Sequence, residues 1–160
     1  MPEGETTSEE IQVLIFSLGD EEFGARTSQI QEIIRMTDIT RMPKAPSFIK
    51  GAINLRGKVI PVIDLAKQFD LPKSERDEET RIIVADVDNN IVGMIVDSAS
   101  EVLRIPGENI DPTPAFIESR IDTRCFEGIG KLKDRLFVLL DLRKLLSPEE
   151  MKSVEEATVD

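Results

Sequence analysis

The chain writes one apolar pattern twice. Aligning Gly24 with Gly93 sets GARTSQIQEIIRM (24–36) under GMIVDSASEVLRI (93–105), so that Glu32 meets Glu101, Ile33 meets Val102, Ile34 meets Leu103 and Arg35 meets Arg104. Aligning Gly51 with Gly128 does the same for GAINLRGKVIPVIDL (51–65). Leu55 then meets Leu132, Arg56 meets Lys133, Lys58 meets Arg135, Asp64 meets Asp141 and Leu65 meets Leu142. The blocks keep their order, and the second half is longer between them. Neither half is long enough to bury a hydrophobic face alone. Two short-stranded halves would therefore close as small barrels and pack together. Chance similarity between apolar strands is the alternative, and whether the two hairpins correspond in space decides between them.

Between the ends of the chain the apolar period is two, the signature of strands. IQVLIFSL (11–18) reads as a strand that GDEEF turns into a second. TRIIVADVDNNIVGMIVD reads as a hairpin, with strands Arg81–Val87 and Ile91–Asp97 joined at Asp88-Asn89-Asn90, where Asn tolerates a left-handed turn. GKVIPVIDL and DRLFVLLDL are apolar runs of strand length, each followed by a short helical pattern, AKQF or RKLL. Pro61 lies inside the first run, which calls for an edge or a bulge there. Residues 1–9 are polar and acidic and read as a disordered tail. The body of the domain is 10–147, with the charged stretch LPKSERDEET (71–80) as an internal linker. Ser147, Pro148 and Glu150 form a capping box, so 148–160 reads as a short helix and tail.

Histidine is absent, which removes an imidazole base, a Ser-His triad, a His metal ligand and a phosphohistidine. The single Cys125 has no intrachain disulfide partner, which fits a reducing cytoplasm. A net charge of −11, with no Trp or Tyr, argues against nucleic acid as a partner. No apolar run approaches the ~18 residues of a membrane span. Asp64 and Asp141 occupy equivalent positions, as do the two carboxylates of aspartic proteases. They are followed by Leu-Ala and Leu-Arg, however, where those enzymes need Thr or Ser and then Gly, and they suit helix caps better. Asp86, Asp88 and Asn90 have the opening spacing of a calcium loop, but Ile91 stands where glycine is required and Asp97 where glutamate is. The reading is a binding module with no catalytic residue, no metal site and no cofactor.

In GAINLRGKVIPVIDL, Gly51 and Gly57 allow positive φ or close backbone approach at the two ends of a bend. Asn54 can bond local backbone, Leu55 points inward and Arg56 outward. Arg56 is then either a solvated hairpin corner or a contact residue.

The stretch SFIKGAINLRGKVIPVIDLAKQF resembles the central motif of the CheW family, the coupling proteins of bacterial and archaeal chemotaxis. The likeness runs from about Gln12 to Leu146 and includes QIQEIIR (29–35), RMPKAPSFIKG (41–51), the 82–105 hairpin and GIGKLKDRLFVLLDL (128–142). It implies an all-β fold of two pseudo-symmetric five-stranded barrels, similar to SH3 or OB barrels, with strands exchanged between them. It implies an adaptor that couples the cytoplasmic tip of methyl-accepting chemotaxis receptors to the regulatory domain of the histidine kinase CheA. The location implied is cytoplasmic, at receptor arrays on the inner membrane, without membrane insertion. A small β-barrel module of another two-component pathway is the alternative. Carried over by motif, the receptor-binding candidates are Ile30, Glu32, Gly51, Arg56 and Val102, with Arg56 facing Glu32. Ile30 and Val102 read equally as core residues. The kinase-binding candidates lie in NIDPTPAFI (109–117): Asp111, and Phe116 as an aromatic anchor or a plug of the barrel.

Overall fold

The first half runs β1 (Glu10–Leu18), β2 (Glu21–Arg26), a 3-10 turn (Thr27–Gln29), β3 (Ile30–Arg35), β4 (Ile49–Leu55), β5 (Lys58–Asp64) and helix α1 (Leu65–Gln68). The second half repeats the order with β6 (Arg81–Val87), β7 (Asn90–Val96), β8 (Ser98–Pro106), a 3-10 turn (Gly107–Asn109), the short β9 (Ile110–Asp111), β10 (Phe126–Lys131), β11 (Leu136–Leu140) and a 3-10 turn (Leu142–Lys144). This computed structural model describes residues 10–43, 45–72, 75–87, 89–112, 125–146, 149–150 and 152. Of the C-terminal helix expected from Pro148, only Glu149, Glu150 and Lys152 are described, and all three are helical.

The strands form two mixed sheets, in the orders β8-β1-β2-β11-β10-β9 and β3-β6-β7-β5-β4. Each sheet takes its central hairpin from one half and its flanking strands from the other, so strands are exchanged. The repeat seen in the sequence is reproduced in register. Ile15 opposes Gly24 as Val84 opposes Gly93, and Leu139 pairs in parallel with Gly24 as Val62 does with Gly93. The β-bulges recur as well, at Ile30/Glu32 in β3 and Ala99/Glu101 in β8, and at Ile49/Gly51 in β4 and Phe126/Gly128 in β10. Chance similarity of apolar strands would not reproduce bulges, which are defined local features. The expected five strands are found in the second sheet. The first has a sixth, the two-residue β9, whose counterpart in the other sheet is the isolated bridge between Thr40 and Ala52.

Both faces of the central strands are buried, which is why they read as apolar runs. In β1, Val13 and Ile15 point into one cluster with Ile105, Phe137 and Leu139, while Leu14, Phe16 and Leu18 point into another. In β6, Ile82 and Val84 line the interior of the second sheet with Ile53, Ile60, Val62 and Ile95, while Ile83 and Ala85 point into that same shared cluster. The shared cluster is the junction between the sheets. It draws on both halves, with a row of rings at Phe16–Phe23, Phe23–Phe69 and Phe69–Phe126 whose centroids lie 5.9, 5.6 and 5.8 Å apart. Phe137 fills space that small residues leave open, since a Cβ built on Gly130 would lie 2.2 Å from its ring and one on Gly24 2.7 Å.

Pro61 corrects one expectation. β5 is an inner strand, and the bulge lies in its partner β4 between Ile49 and Gly51, opposite Ile63 and Val62, not at Pro61. Ala52, which faces Pro61, spends both its N–H and its carbonyl on Thr40, at 2.8 Å each. The Ala52–Pro61 pair is therefore non-hydrogen-bonded. The missing N–H of Pro61 faces the β7 side, where pairing begins only at Val62, so the proline removes no ladder bond.

Candidate functional site

β4 and β5 are joined by a two-residue turn in which Arg56 has φ 52° and Gly57 φ 87°. Positive φ at both central positions is the turn whose twist matches a tight hairpin. Asn54 Oδ1 accepts from the Gly57 N–H at 2.8 Å and holds the bend. This puts the Arg56 side chain in solvent, 71% exposed, where its guanidinium donates through both terminal nitrogens to the two carboxylate oxygens of Glu32. That hydrogen bonding holds the Glu32 carboxyl below the usual carboxylate range.

The position of this pair matters more than its strength, since exposed ion pairs contribute little. Glu32 is on β3 and Arg56 on the β4–β5 hairpin, and β3 and β4 are the two edges of the same sheet. The pair bridges the seam where the sheet curls onto itself. The other sheet has the equivalent device. Glu101 on the edge strand β8 pairs with Arg135 at the β10–β11 turn, and Arg135 also reaches Glu22 at 3.1 Å. Beside the seams lie Ile33, Val59, Val102 and Leu136, the large apolar side chains that are exposed among the described residues. They form two repeat-related pairs, Ile33 with Val102 and Val59 with Leu136. Ile33, Val59 and Leu136 were missed as surface residues, although the repeat alignment already paired them.

The structure places the remaining candidates as follows. Ile30 is half-buried against the junction core, on the same strand as Glu32 and two residues before it. Gly51 is buried, and a Cβ there would stand 2.3 Å from the Thr40 carbonyl oxygen, so glycine is required by close approach of the backbone. Val102 is 51% exposed on β8 of the other sheet, apart from the Glu32–Arg56 seam in topology. Asp111 is exposed on β9 and pairs with Lys131 at 3.2 Å. Phe116 lies outside the described residues.

The two aspartates at the strand ends act as caps. Asp64 Oδ1 accepts from the Lys67 N–H at 3.3 Å, and Asp141 Oδ1 from the Arg143 N–H at 3.0 Å. Asp86 Oδ1 accepts from the Asn89 N–H at 2.8 Å within its hairpin turn. A cleft of about 930 Å³ beside α1 is lined by as many carboxylates as cations among the described residues, so it has no net charge of either sign to attract a ligand. No helix among the described residues is long and apolar enough to cross a membrane.

Two seam-closed sheets with exchanged strands, a shared core and surface ion pairs flanked by exposed apolar side chains define a β-barrel docking module. The chain belongs to the CheW-like domain family, whose model matches residues 12–150. It is 41% identical over 152 residues to the chemotaxis protein CheW of Klebsiella aerogenes, covering 95% of this chain and 90% of that protein. It is 34% identical over 141 residues to the chemotaxis protein CheW of Bacillus subtilis, covering 88% and 90%. The crystal structure of the scaffolding protein TtCheW from Thermoanaerobacter tengcongensis superposes with a TM-score of 0.80 at 36% identity, covering 88% of this chain and 94% of that one.

Proposed function

We propose that this chain is a chemotaxis adaptor that couples the cytoplasmic tip of chemoreceptors to the regulatory domain of the histidine kinase CheA, without catalysis of its own. Family membership supports the adaptor role, and the observation that carries the receptor side is the Glu32–Arg56 pair at the barrel seam. Arg56 is held out by a fixed turn, with donor capacity beyond the two hydrogen bonds it gives Glu32. A helical receptor tip offers carboxylates and terminal carbonyls to such a guanidinium, and Ile30 and Gly51 are further receptor-side candidates by the family motif. Val102 extends the surface onto the first, six-stranded sheet. The kinase edge is β9 with Asp111 and the segment that follows it, with Phe116 as anchor. Coupling then works by linkage, as one partner changes which contacts the other favours.

The experiment is a calorimetric titration of the wild-type chain and of Arg56→Glu, against a receptor-tip fragment and separately against the CheA regulatory domain. The expected result is that Arg56→Glu loses the receptor fragment and keeps the kinase domain. Unchanged affinity for both would show that Arg56 is only a solvated hairpin corner.

A further inference from the structure

The two halves differ at one junction that the repeat would have made alike. Gln29, the last residue before β3, reaches across to the end of the second half. Its Nε2 donates to Asp141 Oδ1 at 3.0 Å, and its Oε1 accepts from the Leu142 N–H at 2.8 Å. Asp141 is 6% exposed, and Arg143 completes its shell with its own N–H at 3.0 Å, Nε at 3.1 Å and Nη2 at 3.0 Å. In the other half the equivalent residues are Ser98, Asp64 and Leu65. Ser98 is too short for such a reach and meets the Ser17 hydroxyl instead, at 2.7 Å, while Asp64 caps the Lys67 N–H.

The clamp sits where β3 most needs one. β3 is an edge strand, paired only with β6, and its bulge falls between Ile30 and Glu32. At a bulge the ladder is locally interrupted, so pairing alone leaves the entry of the strand poorly fixed. Gln29 precedes that bulge directly, and Glu32, which carries the seam pair, follows it.

We propose that Gln29 is a positioning residue, whose amide ties the entry of β3 to the Asp141–Leu142 cap and so sets where the Glu32–Arg56 seam stands for the receptor tip. The inference rests on the receptor reading given above. The fixing is asymmetric by design of the sequence. The β3 seam is held from the opposite half, and the equivalent β8 seam is not held in this way.

The test uses the full chain. Gln29→Met keeps the length and stem of the side chain and removes both hydrogen bonds. Gln29→Glu keeps an acceptor for the Leu142 N–H but sets a carboxylate against Asp141. For both variants the dissociation constant for a receptor-tip fragment should rise about tenfold, less than the roughly thirtyfold of two hydrogen bonds of about 1 kcal/mol each, because these bonds are internal and only part of their loss reaches binding. Affinity for the CheA regulatory domain should stay within about twofold, and amide hydrogen exchange should accelerate over 30–32 while β6 and β7 stay protected. Receptor affinity within twofold of wild type in Gln29→Met would overturn the inference. So would a parallel fall of both affinities with the thermal midpoint, because that marks a general fold effect. A wild-type chain that binds no receptor fragment would overturn the receptor reading and this inference together. Intact wild-type binding with an indifferent Gln29→Met overturns this inference alone.

Discussion

Gly51→Ala isolates what a buried glycine does in a candidate binding surface. A Cβ at this position would stand 2.3 Å from the Thr40 carbonyl oxygen and 2.7 Å from Ile39 Cγ2. The first is backbone and cannot swing aside, so the Thr40 segment must move. That movement endangers the two 2.8 Å hydrogen bonds between Thr40 and Ala52. Each is worth about 1 kcal/mol net, and overpacking adds about 1 kcal/mol or more. The sum is about 3 kcal/mol, or roughly 6–12 °C in thermal midpoint for a domain of this size. Gly57→Ala is the comparison. Gly57 has φ +87° and nothing within 4 Å, so only the backbone penalty of about 1 kcal/mol applies. Thermal and urea unfolding followed by circular dichroism would measure both, and Gly128→Ala should behave like Gly51→Ala, since its Cβ would meet the Asp111 carbonyl oxygen at 2.5 Å. If Gly51→Ala costs no more than Gly57→Ala, close approach is not the reason for the glycine, and a direct contact of this surface with a partner becomes the better account.

Three further outcomes are expected. The double exchange Glu32→Arg with Arg56→Glu should restore the seam but only part of the receptor affinity, because the donor group would stand on β3; full recovery in a fragment titration would make the arginine purely structural. Phe116→Ala should weaken binding of the CheA regulatory domain by about 2 kcal/mol or more with an unchanged thermal midpoint, whereas a lower midpoint with unchanged affinity would make Phe116 a core residue. Asp141 predicts an acid limb of stability. Burial pushes its carboxyl up, but hydrogen bonds from Arg143 and Gln29 outweigh this and hold it below the usual aspartate range. With the folded value below the unfolded one, the stabilisation is complete above the ordinary aspartate value of about 4 and is lost as pH falls through the folded value. The wild-type midpoint should therefore drop in that acid window more than the midpoint of Asp141→Asn, as a thermal series between about pH 2 and 5 would show.

Much of this was legible because strands buried on both faces announce themselves. IQVLIFSL, RIIVADV and the apolar runs before Asp64 and Asp141 were found at the expected places, with β7 beginning one residue early at Asn90. The repeat alignment was the stronger signal: it paired the two hairpins that the registers match, and it set Gly51 over Gly128, which both meet a backbone carbonyl closely. Edge strands were read less well. In β8, SASEVLRIP alternates half-buried and exposed positions, and in β4 Gly51 and Asn54 interrupt the apolar pattern, so neither stood out from periodicity alone. Pro61 suggested an edge because the sequence does not reveal which side of a strand is paired at one residue. At the site, the Glu32–Arg56 pairing was expected from the family motif, and the Asn54 bond from local chemistry. The seam role of that pair depends on which strands form the edges, and the Gln29 clamp on residues far apart in the chain. Neither has a local signature.

An adaptor of this kind must hold two partners at once. The direct measurement is sedimentation velocity of the wild-type chain mixed with a purified receptor-tip fragment and a purified CheA regulatory domain, alone and together. The expected result is a complex with each partner and a faster ternary boundary when all three are present, with the ternary species lost in Arg56→Glu while the kinase-domain complex remains. A chain that binds neither partner, or two partners that exclude each other, would contradict it.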